Sequence, residues 1–539
     1  MTQPPALPLT AERTDVLDDL DNESFDVAVI GGGITGAGIA RDLTHRGLSV
    51  VVFEANDFAS GTSSRSTKLI HGGLRYLAMG EFRTVRKTAS ERKVIHRMAK
   101  HLAEPRWMVY PTAKRREQAL VRLGVTAYEL LGGVARHERH QTWNRALLRA
   151  REPLIDQRAF RSAVVFREYV TDDARLVLAN LRDAAARGAV ILNHCRVVDL
   201  HGEPKASALQ ASCNLTRRNV TIGARAIVNA SGPWVDPVRR LEGAVDDRLI
   251  LSKGVHLTLA SDRLPVNNTV TMPMPDGRTL FVVRRGDATY VGTTDTLVDR
   301  DPEVWPSITD EDVAYILRAV ERTFDVASIE PCEVRAAWAG LRPLIADGED
   351  NPGEISRKDE IWVGERGMIT VAGGKLTGYR LMAEKVADTI RANSSVAVGT
   401  SPKESDFLPG GKFDGEVGDL AARISQTHNL GIQTSHRLAS LYGSECIEIL
   451  NLGPDPIAPD SKIVCGEIAW AIEYEGAATL EDVFYRRTRA AWYEPNACEL
   501  LHPMAVAIAG HTGWTQDRIE NEVAATREVF EEELSFQAA

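Results

Sequence analysis

FDVAVIGGGITGAGIARDLTHR, residues 25–46, determines the architecture of the N-terminal half of this chain. An apolar, β-branched run precedes three glycines, and a helix-like segment follows them. This is the strand, glycine turn and helix of a dinucleotide-binding unit. Gly31 permits the tight turn, Gly33 lets the backbone approach a pyrophosphate, and Gly36 lets the helix lie close to the strand. The phosphates are expected at the helix N-terminus, where N–H groups and the helix dipole favour an anion.

The segments that follow extend this unit. A second apolar strand, residues 48–53, ends in Glu54, at the distance where an acidic side chain binds ribose hydroxyls. Residues 62–76, TSSRSTKLIHGGLRY, are dense in hydroxyls, glycines and cations. NAD and FAD both use the first unit, but hydroxyls and exposed amides suit a pyrophosphate and a flavin edge, which offer mainly acceptors. A plain polar loop is the alternative on composition alone.

The combination of GGGITGAGIARDL and SSRSTKLIHGGLRYL resembles the FAD-dependent glycerol-3-phosphate dehydrogenases, the aerobic and membrane-associated kind. Two positions depart from the family pattern: Ser231 stands where Thr is usual, and Gly378 where a second Thr is usual. Both changes are small and bear on fine positioning rather than on the cofactor. The resemblance continues in TDDARLVLAN (171–180), VNASGPWV (228–235), KGVHLTL (253–259), VGTTDT (291–296), WAGLRPL (338–344), GGKLTGYR (373–380) and FYRRTR (484–489).

The resemblance implies an α/β + α fold with three parts: a discontinuous Rossmann-like FAD-binding domain, an antiparallel-sheet substrate domain and a C-terminal helical cap domain. Alternating short apolar runs between Gly, Asp and Asn independently favour antiparallel strands in the second part. The expected boundaries are a mobile tail at 1–23, the FAD-binding domain at 24–104, 160–249 and 338–400, the substrate-binding, membrane-facing domain at 105–159 and 250–337, and an acidic helical domain at 405–539.

Composition narrows the class of protein. Hydrophobic residues make up 44% of the chain and charged residues 26%, as in ordinary soluble proteins. The net charge of −10 belongs to the C-terminal part, which from Ser405 onward has 9 Lys+Arg against 22 Asp+Glu. Six scattered cysteines without a CxxC pair argue against a disulfide framework or a metal site and favour a reducing cytoplasm. No run of 18 apolar residues occurs, so any membrane contact is expected on the bilayer surface.

Cofactor binding is assigned partly from the glycine turn and partly from the resemblance. The glycines and hydroxyls would surround the pyrophosphate, and the second glycine turn would meet the flavin. The expected FAD-binding residues are Gly31, Gly33, Gly36, Glu54, Ser63, Ser64, Ser66, Lys68, Gly232, Gly374, Lys375, Leu376 and Thr377.

The family's substrate, sn-glycerol 3-phosphate, needs cations for its phosphate and a base for its C2 hydroxyl proton. By resemblance Arg75 and Arg342 face the substrate, and an arginine fork binds phosphate oxygens in pairs. His256, in a family motif and in the predicted substrate sheet, is the candidate base; a satisfied structural histidine is the alternative. Lys375 would stabilise negative charge on the alkoxide or the reduced flavin. Tyr76 either hydrogen-bonds the substrate or packs.

Residues 83–151 are strongly basic, which suits an anionic surface or an exposed helix face. Within them, residues 116–134 place apolar side chains near helical spacing, flanked by arginines. This pattern indicates a membrane-surface helix or an ordinary amphipathic helix packed on the body. The apolar positions are Leu120, Leu123, Ala127, Leu130, Leu131 and Val134, and the flanking arginines are Arg115, Arg116, Arg122 and Arg136.

The resemblance therefore implies oxidation of sn-glycerol 3-phosphate to dihydroxyacetone phosphate by hydride transfer to FAD, with a quinone as electron acceptor. It also implies a homodimer attached peripherally to the cytoplasmic membrane. A glycerol-3-phosphate oxidase is the nearest alternative, although the long insertion usual in such oxidases is missing. The acidic C-terminal part argues against an RNA-binding flavoprotein. The presence of all the expected site residues argues against a non-catalytic binding protein. Arg486, Arg487 and Arg489 are expected to form salt bridges that hold the cap to the body.

Overall fold

The structure is a computed structural model, and it describes residues 13–70, 82–298, 305–346, 359–401 and 406–538. The strands are β1 (Ser24–Ile30), β2 (Val50–Phe53), β3 (Leu69–Ile70), β4 (Glu104–Thr112), β5 (Gln141–Trp143), β6 (Ser162–Val170), β7 (Val190–Leu192), β8 (Cys195–His201), β9 (Ala208–Cys213), β10 (Asn219–Asn229), β11 (Leu249–Ala260), β12 (Thr269–Pro273), β13 (Thr279–Arg285), β14 (Ala288–Gly292), β15 (Thr296–Val298), β16 (Ala336–Ile345), β17 (Asp359–Val363) and β18 (Ile369–Gly373).

Helices occur in all three parts of the fold. They are α1 (Arg13–Leu20), α2 (Ile34–His45), α3 (Phe82–Met98), α4 (Arg115–Leu131), α5 (Arg145–Arg151), α6 (Asp173–Ala185), α7 (Val235–Arg240), α8 (Asp310–Thr323), α9 (Tyr379–Asn393), α10 (Val417–His428), α11 (Ile432–Tyr442), α12 (Cys446–Leu452), α13 (Cys465–Glu473), α14 (Ala490–Tyr493), α15 (Leu501–Thr512) and α16 (Gln516–Glu532).

The first sheet builds the dinucleotide-binding unit. Its strands follow the order β17-β18-β10-β1-β2-β7, and β8 and β9 continue from β10. β1 runs parallel to β2 and to β10, and Ile30 pairs with both Phe53 and Asn229. The carboxyl ends of three strands therefore meet at one edge, where ligands bind in open α/β sheets. Helices α2, α6 and α9 cover one face of this sheet with a common apolar core.

The opposite face of the first sheet is covered partly by α1, and the mobile tail predicted at 1–23 is wrong for residues 13–20. Leu17 and Leu20 are buried in the core formed with β8, β9 and β10. Arg13 is also buried, and its guanidinium donates to the backbone and side-chain oxygens of Asn193 at 2.8 and 2.7 Å. Arg13, Leu17 and Leu20 lie on one face of α1, and their burial attaches this segment to the body.

The second sheet has ten strands, in the order β15-β11-β14-β13-β12-β4-β6-β3, with β16 on β11 and β5 on β6. Its pairs are antiparallel except for β12 with β4. One face packs on α8 and the other on the C-terminal helices. The predicted α/β + α architecture is thereby confirmed.

Strand pairing corrects two of the expected boundaries. β6 pairs with β4 along its whole length and β16 pairs with β11, so the boundaries expected at 160 and 338 each cut off a strand of the second sheet. A local apolar pattern cannot report which sheet a strand joins, since the partner strand is distant in sequence.

Candidate cofactor and substrate site

A cavity of about 240 Å³ lies at the carboxyl edge of the first sheet. Its walls come from four turns that are far apart in sequence: the glycine turn after β1, the loop after β2, the turn after β10 and the glycine turn after β18. The predicted cofactor residues that line it are Gly31, Gly33, Glu54, Ser63, Ser66, Gly232, Gly374, Lys375 and Leu376.

The first glycine turn depends on missing side chains. Gly31 has φ of +113°, and a Cβ there would lie 2.6 Å from the carbonyl oxygen of Ala230. A Cβ on Gly33 would enter the space in front of Ser63, 3.2 Å from its Oγ. Gly36 does not line the cavity; a Cβ there would lie 1.9 Å from the Gly31 carbonyl oxygen, so it permits the turn to close. The backbone thus leaves no room for a side chain at Gly31 and Gly36, and the pyrophosphate contact of Gly33 stays a prediction.

Glu54 closes the cavity at the end of β2. Its carboxylate accepts hydrogen bonds from the backbone N–H groups of Gly32 at 2.7 Å and Asn56 at 2.9 Å. Burial raises the pKa of Glu54, while these two hydrogen bonds oppose the shift. A carboxylate held this way presents its remaining lone pairs to a ligand that can donate, such as a ribose hydroxyl.

Residues 62–68, here called the hydroxyl loop, form the cavity wall next to α2. Ser63 Oγ accepts from the N–H of Ile34 at 3.0 Å, and Ser66 Oγ donates to Asp173 Oδ2 at 2.7 Å. Ser64 and Lys68, both expected to touch the cofactor, do not line the cavity. Lys68 is fully buried, and its Nζ donates to the Ser64 carbonyl at 2.5 Å. Ser64 and Lys68 are both buried, so they support the loop from behind instead of facing the cavity.

The second glycine turn, like the first, depends on missing side chains. Gly373 and Gly374 have φ of +73° and +78°, and a Cβ on Gly374 would lie 2.5 Å from Met382 Sδ. Lys375 and Leu376 line the cavity, whereas Thr377 is buried beside it. Helix α9 begins at Tyr379, after a short 3₁₀ turn at Leu376–Gly378.

Arg342 lies where the second sheet borders the cavity. Its guanidinium donates to Asp295 Oδ1 at 3.1 Å and to Thr293 Oγ1 at 2.9 Å. A Cβ on Gly254 would come within 2.2 Å of its Nη2, so the neighbouring strand leaves room for the guanidinium. Pro343, the next residue, lines the cavity, but Arg342 itself does not.

His256 is enclosed behind the hydroxyl loop. It is 1% exposed, its ring stacks on Trp338 at 4.9 Å, and its Nε2 lies 3.0 Å from Thr67 Oγ1. Within the described part of the chain its Nδ1 has no hydrogen-bond partner. Burial lowers the pKa of His256 well below its usual value, with smaller contributions from the Arg342 and Lys68 cations. The imidazole is therefore neutral, and it does not line the cavity. Arg75 and Tyr76, the remaining expected site residues, lie outside the described residues.

Comparison with known proteins agrees with this geometry. Residues 26–380 match the FAD dependent oxidoreductase family, and residues 404–519 match the C-terminal domain of alpha-glycerophosphate oxidase. The chain is 35% identical over 505 residues to an aerobic glycerol-3-phosphate dehydrogenase from Staphylococcus haemolyticus, covering 90% of each chain. The chain belongs to the aerobic glycerol-3-phosphate dehydrogenase family.

Further members of that family, and one more distant protein, are similar to the chain. A Staphylococcus aureus aerobic glycerol-3-phosphate dehydrogenase is 36% identical over 502 residues, again 90% of each chain. The structure of glycerol-3-phosphate dehydrogenase from Bacillus halodurans complexed with FAD has 33% identity and a TM-score of 0.79 over 98% of both chains. An L-alpha-glycerophosphate oxidase from Mycoplasma pneumoniae shares the fold, with a TM-score of 0.58 and 16% identity over 72% of this chain and 98% of its own.

The cavity of this dehydrogenase family member fits FAD, which is its cofactor. The two turns at Gly31–Gly33 and Gly373–Gly374 form a cradle that side chains would fill. α2 starts at this cradle, and its N-cap residue Gly33 makes no side-chain capping bond. The exposed helix start suits a pyrophosphate, and the Glu54 carboxylate suits a ribose.

Several cavity residues of the dehydrogenase were missed in the sequence. Asp173 lines the cavity directly after Asp172, the residue that caps α6 by accepting from the N–H of Arg175. Trp234 also lines it and stacks on Trp305, with ring centroids 5.9 Å apart. The two adjacent carboxylates in TDDARL could have indicated Asp173 as a site residue, because helix capping needs only one of them. Nothing local in the sequence pairs the two tryptophans.

The salt bridges predicted for the arginines of FYRRTR are confirmed. Arg487 donates to both carboxylate oxygens of Asp57, at 2.6 and 2.9 Å, and Arg486 also binds Asp57. Arg489 donates to Asp172 at 3.0 Å and to Asp173 at 3.2 Å. Each contact joins the C-terminal helices to the FAD-binding part of the dehydrogenase.

Asp57 also belongs to the one group of side chains with metal-like spacing among the described residues, together with His194 and Asp482. Its carboxylates already bind Arg486 and Arg487, and His194 Nε2 lies 3.0 Å from Asp482. These contacts identify an ion-pair network at the domain boundary, and the absence of a metal stays a prediction.

Proposed function

We propose that the chain oxidises sn-glycerol 3-phosphate to dihydroxyacetone phosphate and passes the electrons to a membrane quinone. Family membership supports the reaction, and one observation applies it to this chain: Arg342 lies next to Pro343, which lines the FAD cavity on the side of the second sheet. When bound, FAD supplies the acceptor for the hydride that leaves C2 of the substrate. The residues of the chain must bind the phosphate and accept the hydroxyl proton.

Arg342 is proposed to bind the substrate phosphate. Its planar fork can donate to two phosphate oxygens at once. Asp295 and Thr293 already hold the guanidinium, so little side-chain freedom remains to be lost when the phosphate binds. Arg75 is proposed as a second phosphate ligand, and Tyr76 as a hydrogen-bonding partner of the substrate.

His256 is proposed as the proton acceptor, and Lys375 as an electrostatic stabiliser. Burial lowers the pKa of His256, which keeps the imidazole neutral, the form that can accept a proton. The stacked Trp338 and the Thr67 hydroxyl hold the orientation of the ring. Lys375 lines the FAD cavity, where its cation favours the negative charge that develops during oxidation.

Anaerobic mixing tests the proposed reaction. The purified yellow protein should lose its flavin absorbance at about 450 nm, a wavelength set by the cofactor, when sn-glycerol 3-phosphate is added. Glycerol, which lacks the phosphate, should leave the absorbance unchanged, and a soluble quinone should restore it. No bleaching in a protein with full FAD would contradict the proposal. Stoichiometric hydrogen peroxide in air would instead identify an oxidase.

Membrane contact is proposed through α4. Leu120, Leu123 and Leu130 are 71%, 67% and 64% exposed, and the same helix carries the exposed arginines Arg115 and Arg122. Exposed leucines flanked by arginines match a helix that lies in the interface of an anionic bilayer. The helix packs on the body through Val125 and Tyr128, so its leucine face is left outward. No helix among the described residues has the length and apolar character needed to cross a membrane.

The basic stretch as a whole is not one exposed surface. Arg92 is 3% exposed and donates to Glu168 at 2.7 Å and to Tyr128 Oη at 2.6 Å. The membrane proposal therefore concerns α4 alone. Quinone coupling, a homodimer and a position on the cytoplasmic face stay predictions from the family resemblance. Sedimentation equilibrium of the FAD-loaded protein would decide between one and two copies.

A further inference from the structure

The hydroxyl loop is held from two sides by residues of the C-terminal part of the chain. On the inner side, Arg489 binds Asp173, which binds Ser66 and Lys68 of the loop. On the outer side, Glu533 binds Arg65 of the loop. Neither Arg489 nor Glu533 lines the FAD cavity.

The inner contact is a single carboxylate shared by three groups. Asp173 Oδ2 accepts from Ser66 Oγ at 2.7 Å, and Oδ1 accepts from Lys68 Nζ at 3.0 Å and from Arg489 Nη2 at 3.2 Å. Ser66 Oγ also accepts from the N–H of Lys68 at 2.9 Å. The serine hydroxyl thus donates to Asp173 outside the loop and accepts from Lys68 within it. The conformation of this cavity-lining residue therefore depends on Asp173.

The charge of Asp173 makes Arg489 important for an anionic ligand. Asp173 faces the cavity in which the FAD pyrophosphate and the reduced flavin carry negative charge. A buried carboxylate there repels both unless cations balance it. Arg489 places a permanent positive charge beside Asp173, and its guanidinium also donates to the neighbouring Asp172 at 3.0 Å. Burial would raise the pKa of Asp172, but the cations of Arg489, Arg285 and Lys68, together with a backbone hydrogen bond, outweigh it and lower this pKa to about 2.

The backbone of Arg489 indicates that this contact is maintained against a conformational cost. Its φ of +65° lies in the left-handed region, which non-glycine residues avoid. The segment just before it, Asp482–Arg487, is a π-helical turn. Each guanidinium nitrogen nevertheless donates a hydrogen bond, with Asp172, Asp173 and the Tyr485 carbonyl as acceptors. Its side chain also lies over the Trp492 ring at 4.5 Å, beside Lys68.

The outer contact ends at Glu533, just after α16. Glu533 Oε1 lies 2.5 Å from Arg65 Nη1, and its Oε2 accepts from Tyr485 Oη at 3.1 Å. The Arg65 guanidinium lies 5.2 Å from the Trp305 ring. The backbone of Arg65 is fixed on its other side, because a Cβ on Gly340 would lie 2.5 Å from its carbonyl oxygen.

We propose that Arg489 and Glu533 are positioning residues for the cofactor: through Asp173 and Arg65 they set the shape and the charge of the hydroxyl loop that binds FAD. The C-terminal domain then tunes FAD affinity and reduction potential, in addition to packing on the body. This inference concerns the cofactor alone, so it can be tested without substrate and can fail independently of the proposed reaction.

The test compares Arg489→Gln with Arg487→Gln in the FAD-loaded full chain. Both variants remove one buried arginine from the same motif, but the ligands of Arg487 are Asp57 and the Glu475 carbonyl, away from the hydroxyl loop. We measure the flavin midpoint potential and the release of FAD on dilution by flavin fluorescence. Burial and the Arg489 cation lower the pKa of Lys68 to about 7. Measurements are therefore made at pH 6, where Lys68 and Arg489 are both charged in the parent.

Arg489→Gln should release FAD more readily and bind reduced FAD roughly tenfold more weakly relative to oxidised FAD, which lowers the two-electron midpoint potential by about 30 mV. Arg487→Gln should keep the parental potential even though it is less stable. Arg489→Lys, which keeps the charge, should restore the potential. Equal potentials in Arg489→Gln and the parent, or equal shifts in both glutamine variants, would overturn the proposal.

Glu533→Gln provides a second comparison if Arg489→Gln gives no folded holoenzyme. It removes a negative charge beside Arg65, so the midpoint potential should rise, opposite to the shift for Arg489→Gln. A general loss of packing cannot change the sign of a potential shift between two sites. An unchanged potential in Glu533→Gln, together with a parental FAD release rate, would refute the outer half of the proposal.

Discussion

Arg487 donates two hydrogen bonds to Asp57, at 2.6 and 2.9 Å, across 430 positions of the chain. Both side chains are fully buried. Burial would raise the pKa of Asp57, but the cations of Arg487 and Arg486 together with the hydrogen bond from Arg487 outweigh it and hold this pKa below its usual value. The Arg487–Asp57 pair joins the loop after β2 to the π-helical turn of the C-terminal part, so it is one of the buried ion pairs between the FAD-binding unit and the cap.

Arg487→Ala should lower the free energy of unfolding by about 3 to 5 kcal/mol, because it leaves the Asp57 charge buried with fewer cations. Chemical denaturation of the holoenzyme followed by circular dichroism measures this loss. Arg158→Ala is the control, since Arg158 and its partner Asp325 are solvent-exposed and the variant should unfold at the parental midpoint. Equal midpoints for both variants would show that the buried Arg487–Asp57 pair does not contribute to the free energy of unfolding.

Gly33→Val should yield folded protein that has lost most of its FAD. The backbone of Gly33 is extended, with φ of −79° and ψ of −176°, so any residue can adopt it. The added side chain would instead fill the space in front of Ser63 where the pyrophosphate is expected. FAD content per protein after gel filtration measures the loss. Gly378→Ala is the control, because a Cβ at Gly378 meets nothing within 4 Å, and full FAD content in both variants would argue against this cradle.

Arg342→Lys should reduce kcat/KM for sn-glycerol 3-phosphate by roughly 10- to 100-fold, because an ammonium cannot reproduce two charge-assisted hydrogen bonds to one phosphate. Steady-state assays with a quinone acceptor measure it. FAD content should stay parental, since Arg342 does not line the cofactor cavity. Arg284→Lys, at an exposed position on the same sheet, should have parental kinetics. A parental kcat/KM in Arg342→Lys would remove the proposed phosphate contact.

Replacing Leu120 and Leu123 together by Ser should abolish co-sedimentation with anionic vesicles while anaerobic flavin reduction stays intact. Both leucines are exposed on α4, so their loss removes apolar area from the bilayer contact without emptying a core. Charge reversal at Arg115, Arg116 and Arg122 should weaken the same binding. Val245→Ser is the control, because Val245 is 98% exposed away from this helix. Parental co-sedimentation of the serine variant would place the membrane contact elsewhere.

Stability at the domain boundary should fall as pH rises above neutrality, and His194 should account for part of this loss. Burial would lower the pKa of His194, but the charge and hydrogen bond of Asp482, together with the charge of Asp57, outweigh it and raise the pKa above its usual value. The folded state then binds the proton more tightly, so the stabilisation is complete below about pH 6.5 and is lost as pH rises through the raised value. The difference in Tm between the parent and His194→Gln should therefore be larger at pH 6 than at pH 9. A constant difference would exclude this linkage.

The first glycine turn was predictable from the sequence because all its determinants are local. Gly31, Gly33 and Gly36 belong to one continuous strand, turn and helix, and their spacing predicts this turn. Asp173 was missed as a cavity residue because its partners, Lys68 and Arg489, lie 105 and 316 positions away. For the same reason β6 was assigned to the wrong domain, since an apolar run does not identify its pairing strand.

Lys68 shows a different limit of sequence-based prediction. Lys68 was expected to bind FAD, yet its side chain is buried and binds Asp173. No residue type in the loop signals this, because Asp173 lies 105 positions away. Residue chemistry thus identified the loop as a cofactor wall but could not say which of its side chains face the cofactor.

The outer contact of the hydroxyl loop also constrains when the enzyme can be completed. Glu533 is synthesised 468 residues after Arg65, the loop residue that it binds. During translation the glycine turn and the loop are synthesised early, and the proposed positioning by Glu533 means that the loop reaches its final shape only after the C-terminal helices have formed. We therefore expect stable loading of the cofactor to be a late event in biosynthesis, and we expect a chain truncated within the cap to form its nucleotide fold without a finished wall for the flavin.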